Sequence, residues 1–121
     1  MVYESVRVVT SLVEPSVTFS VARMSFGRRM ELMRKVRELA RRMEFAQAGE
    51  GAGDKMDAAL LRGEIDRLYL ERGLLGVSGV ELDGMEATPE SFVEKGPEHL
   101  VREALAAVRA EAGLNEAERK N

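Results

Sequence analysis

The run Leu32-Met33-Arg34-Lys35-Val36-Arg37-Glu38-Leu39-Ala40-Arg41-Arg42-Met43-Glu44-Phe45-Ala46 decides how the rest of this chain is read. Leu32, Val36, Leu39, Met43 and Ala46 recur at spacings of 4, 3, 4 and 3. That alternation follows the 3.6-residue turn of an α-helix and predicts a long amphipathic helix from about Phe26 to Gln47. Met30, Met33 and Ala40 widen its apolar stripe, and the Ser25 hydroxyl is suited to cap its start.

Downstream, Gly49-Glu50-Gly51-Ala52-Gly53 predicts a flexible break, because glycine is costly inside a helix. Asp54 is a good cap for a second helix through Arg72, with Leu61, Ile65 and Leu68 along one side. Gly73 is expected to end it in the left-handed conformation, with Leu74 or Leu75 supplying the accompanying contact. Upstream, Ser5–Val13 and Val17–Ala22 are rich in β-branched residues with period-two alternation about Glu14-Pro15-Ser16, which reads as an antiparallel hairpin. Val77–Leu82, Asp83-Gly84 and Met85-Glu86 read as a short second hairpin.

Thr88-Pro89 predicts a brief helix, and Gly96-Pro97 stops it and starts another carrying Leu100, Val101, Ala104, Leu105 and Val108. Gly113 ends that one, and Asn115 with Glu118 has the spacing of a capping box for a last helical turn. The expectation is one α+β domain over residues 1–121: a hairpin in 1–23, a helical pair in 25–73, a short hairpin in 77–86 and C-terminal helices in 88–121. In it two antiparallel hairpins pack on two long helices and a shorter helical set.

The 121 residues suffice for one core, and 45% apolar with 32% charged residues describes a globular protein. Cysteine is absent, which removes disulfides, thiolate nucleophiles and sulfur-ligated zinc. With neither a membrane-spanning run nor a secretory start in Met1-Val2-Tyr3-Glu4-Ser5, the expected location is the cytoplasm. The net charge of −3 conceals a separation: Arg23 to Glu44 carries +5, whereas Glu81 to Asn121 carries −5. Such asymmetry bears on partner choice and encounter rate.

Chemistry-bearing motifs are weak. Gly49 to Met56 superficially suggests a phosphate cradle, but a helix precedes it and Met56 follows Lys55 where Ser or Thr is needed. His99 is the sole histidine, and with Glu98 and Glu103 it makes no closed metal site. Glu31 with Arg34 and Lys35, and Glu38 with Arg41 and Arg42, have the spacings of ion pairs on a helix surface. Ser25, Ser78 and Ser91 lack a base. No catalytic, cofactor or metal-binding residue is expected, and an enzyme is not.

The informative polar feature is the set Arg28, Arg29, Arg34, Lys35, Arg37, Arg41 and Arg42. It forms either the solvated side of the helix or a surface for nucleic acid, for an acidic protein segment, or for the chain's own acidic C-terminal portion. Interleaved glutamates, the acidic whole and the lack of Trp disfavour nucleic acid. Met24, Met30, Met33 and Met43 cluster in or beside the helix, and flexible thioethers adapt to varied apolar surfaces. If the helix leaves Met30 or Met33 partly exposed, a peptide-binding role gains. Met30, Met33, Val36 and Arg37 are the contact candidates, with Arg34 and Arg41 as rim charges.

Several segments carry a resemblance. Met24-Ser25-Phe26-Gly27-Arg28-Arg29, the run from Glu64 to Leu74, Val80 to Gly84 leading to Ala87-Thr88-Pro89-Glu90, Gly96-Pro97-Glu98, and Gly113 to Asn121 resemble small proteins of bacteriophage and prophage tail genes, especially tail assembly chaperones. The similarity runs from about Val17 to the C-terminus and leaves out Met1–Val13. It implies a non-enzymatic factor in the cytoplasm of the bacterial host that binds the long helical tape-measure protein while tail-tube subunits assemble. It supplies no catalytic residues. The alternatives are a permanent structural tail subunit, such as a connector or completion protein, and a basic-helix nucleic-acid-binding regulator. Self-association stays open.

Overall fold

The computed structural model describes residues 1–113, an α+β arrangement of four helices and two small antiparallel sheets. The first hairpin pairs β1 (Val6–Thr10) with β2 (Thr18–Ala22), so that Val9 lies opposite Phe19 and Val6 opposite Ala22. Two long helices follow, α1 (Phe26–Ala48) and α2 (Ala52–Gly73), joined by a tight turn at Gly49, Glu50 and Gly51. The break is narrower than the glycines suggest, since Ala52 and Gly53 are already helical. The α2 cap is Gly51, and Asp54 sits instead in the first turn, where a carboxylate favours the positive end of the helix dipole.

Directly after α2 comes a strand that periodicity does not reveal. β3 (Leu74–Ser78) pairs antiparallel with β2, making a three-stranded sheet of order β1-β2-β3 with a bulge between Ser20 and Val21. Leu74 and Val77 are thus strand residues, not a helix-ending contact and the start of the second hairpin. Gly73 is not left-handed either, as the positive-φ glycines are Gly79, Gly84 and Gly113. A Cβ at Gly73 would collide with the Val108 side chain, so glycine is needed there for close approach of the C-terminal helix.

The second hairpin is limited to β4 (Glu81–Leu82) and β5 (Met85–Glu86). Its two-residue turn has φ of 53° at Asp83 and 81° at Gly84, both on the left-handed side as a tight primed turn requires. Helix α3 (Pro89–Lys95) is capped reciprocally by Thr88 and Ser91, with Pro89 in the first turn as the sequence predicts. Helix α4 (Glu98–Ala112) starts after Pro97 and ends at Gly113 in the left-handed conformation. The Asn115–Glu118 capping box lies outside the described residues.

The main core is built on β2. Phe19 and Val21 pack with Leu70, Leu74, Phe92, Leu100, Ala104 and Val108, and the Phe19 and Phe92 rings lie 5.8 Å apart, centroid to centroid. Arg109 ties α4 to α2 by reaching Asp66 at 2.5 Å while its guanidinium lies 4.3 Å over the Tyr69 ring. A second, smaller cluster of Ala46, Ala58 and Leu61, with Leu39 and Met43 against it, sits at the turn end of the α1–α2 hairpin. Helix α1 packs chiefly on α2, whereas α2 continues into the main core through Tyr69 and Leu70. Among the described residues, no helix is long and apolar enough to cross a membrane.

Candidate functional site

Helix α1 begins where the Ser25 hydroxyl accepts a hydrogen bond from the Arg28 amide at 3.2 Å. From there, the 3.6-residue repeat separates two faces. Leu32 and Ala46 are buried and Val36, Leu39 and Met43 half-buried, forming the seam against α2. Met30, Arg34, Arg37 and Arg41 follow the same 4-3-4 spacing but lie on the opposite face, all of them exposed. Met33 flanks this outer row. Five of the six candidate contact residues therefore share one accessible surface, and Val36 belongs to the seam instead.

The outer surface is more apolar than the six residues suggest. Phe26, Met30 and Met33, spaced as one helical stripe, are 83%, 47% and 47% exposed. Phe26 lies in the first turn of α1, where its spacing to Met30 extends the stripe by one helical turn; the i, i+4, i+7 pattern was its signal. Over 23 residues the helix offers a rod about 34 Å long. Apolar side chains at one end and cations along the middle make a surface suited to an amphipathic segment with acidic flanks.

The basic set divides by role. The Arg28 guanidinium donates to the Ser5 carbonyl at 3.4 Å, and the Arg29 guanidinium donates to the Ala112 carbonyl at the end of α4. These two fix the base of α1 to the body. Arg34, Lys35, Arg37, Arg41 and Arg42 form no ion pair among the described residues. The intrahelical pairs expected of Glu31 and Glu38 do not form. Glu31 instead meets Arg72 of α2 at 2.8 Å, because a partner across the helix seam competes with one along the helix. Within the acidic C-terminal portion, Glu111 pairs with Arg7 at 2.9 Å and Glu94 with Arg67 at 3.2 Å.

His99 stands exposed in the first turn of α4. Among the described residues, no group of three or more His, Asp or Glu side chains is arranged to hold a metal ion. A groove of about 600 Å³ lies between α2 and α3 and is bordered by Arg67, Leu70, Leu74, Pro89, Val93 and Glu94. The Arg67–Glu94 pair crosses it. The turn at 49–51 joins helix to helix, which is not the strand-to-helix setting of a phosphate cradle.

The chain matches no known protein-family model, no curated protein sequence and no solved structure.

Proposed function

We propose that this chain is a non-enzymatic assembly factor that binds another protein, in the manner of a phage tail assembly chaperone holding the tape-measure protein during tail morphogenesis. The observation that carries the binding role is α1, a long helix buried on one side only. Its other side bears Phe26, Met30 and Met33 with Arg34, Arg37 and Arg41. Exposed thioethers adapt to a variable apolar stripe, and the arginines border them with charge. The identity of the partner rests on the resemblance of Met24–Arg29, Glu64–Leu74 and the other segments quoted above.

The deciding experiment is co-expression with fragments of a tape-measure protein, followed by affinity capture and by protein analysis of purified particles. Co-purification with the fragments, together with absence from finished particles, is the expected result. Stoichiometric retention in particles would mean a permanent tail subunit instead. Five cations without ion pairs on one helix also favour a nucleic-acid reading. A gel shift at low salt that weakens steeply as salt rises, and that vanishes on reversing Arg34, Arg37 and Arg41, would establish it.

A further inference from the structure

One flank of the α1–α2 hairpin, beside the outer face of α1, holds a groove of about 530 Å³ with walls of opposite charge. Its α1 wall carries Arg41 and Arg42, and its α2 wall carries Asp54, Asp57 and Glu64. None of these five forms an ion pair among the described residues. Ala46 and Leu61 of the small hairpin core line the floor. Phe45 and Leu60 rise beside it, 86% and 65% exposed.

We propose that a second copy of this chain occupies this flank. A twofold relation that lays α1 of one copy over α2 of the other sets Arg41 and Arg42 of each against Asp57 and Glu64 of its mate, so both walls are matched in a single step. A ligand of one sign would satisfy one wall and oppose the other. The same contact covers Phe45 and Leu60 and extends the small core into a four-helix layer. The outer face of α1 could not serve two copies this way, because Arg34, Arg37 and Arg41 would oppose themselves. Self-association and partner binding thus use adjacent surfaces that share Arg41.

Sedimentation equilibrium of the full chain tests this. The wild type is expected to show a concentration-dependent monomer–dimer balance that weakens with salt. Arg41→Glu/Arg42→Glu gives two acidic walls, and Asp57→Lys/Glu64→Lys gives two basic walls. Each alone is expected to self-associate at least about tenfold more weakly, and an equimolar mixture to dimerise again. Phe45→Ser/Leu60→Ser, checked for unchanged helix content by circular dichroism, is expected to weaken the dimer similarly. A wild type that stays monomeric up to about 1 mM, charge-reversed variants that dimerise as tightly as the wild type, or a mixture that fails to recover would each overturn the proposal.

Discussion

The guanidinium of Arg29, near the start of α1, donates to the carbonyl of Ala112, the last residue of α4, across 83 positions of sequence. A cation at a helix C-terminus meets both an unpaired carbonyl and the negative end of the dipole. Arg29→Ala removes both contacts and loosens the base of α1. The expected loss is about 1–2 kcal/mol of unfolding free energy in urea titrations. Arg34→Ala, which has no such partner among the described residues, should stay within about 0.5 kcal/mol of wild type.

Gly73 and Val108 mark a close approach between α2 and α4, where a Cβ on Gly73 would meet the valine side chain. Gly73→Ala is expected to cost about 1–3 kcal/mol through overpacking, despite alanine's better helix propensity. Val108→Ala alone leaves a cavity and costs a similar amount. Because the added methyl of one fills the space vacated by the other, the double variant should be clearly more stable than the sum of the two. A double-mutant cycle from chemical denaturation reads this coupling directly, and strict additivity would contradict the contact.

Glu103 of α4 holds the loop between β1 and β2. One carboxylate oxygen accepts from the Ser11 hydroxyl at 2.5 Å and the other from the Leu12 amide at 2.8 Å. The Ser11 oxygen in turn accepts from the amides of Val13 and Glu14. The loop is thereby fixed although Leu12 and Val13 face solvent. Glu103→Ala should speed hydrogen exchange of the Leu12, Val13 and Glu14 amides by about tenfold or more, while the Phe19 amide in the central strand changes little. Equal protection before and after the substitution would show that the loop is held by its own turn.

On the outer face of α1, Met30→Ser/Met33→Ser and Arg34→Glu/Arg37→Glu should leave thermal unfolding near wild type, since these side chains are exposed. Under the proposed function, each pair should weaken capture of tape-measure fragments by about tenfold or more. Val36→Ser is expected to behave in reverse, lowering stability because Val36 is half-buried on the α2 side. Titration of labelled fragments against each variant, alongside melting curves, separates the two effects.

What the sequence discloses here follows the range of the forces involved. The α1 stripe, the first hairpin, the Asp83-Gly84 turn and the Thr88-Pro89 start are local patterns, and each appears where the spacing predicts. β3 was hidden because Leu74–Ser78 is short, holds a glycine and follows α2 without a turn; its hydrogen bonds go to β2, more than 50 residues earlier. Gly73 has the look of a helix stop but is set by a distant valine. Arg28, Arg29 and Arg34 are alike in sequence, yet only contacts with Ser5 and Ala112 separate anchors from exposed cations. Val36 fits both an apolar stripe and a contact surface, and only the position of α2 assigns it to the former.

The cluster at the turn end of α1 and α2 contains two alanines and one leucine among its buried members, and a buried methylene brings only about 0.8 kcal/mol. Cohesion therefore grades along the hairpin, from the aromatic pair of Phe19 and Phe92 out to Gly49. On warming, the outermost helical turns are therefore expected to fray while the sheet still holds its register. A partner that straps α1 from outside would raise the temperature at which that end comes apart before it altered the melting of the sheet.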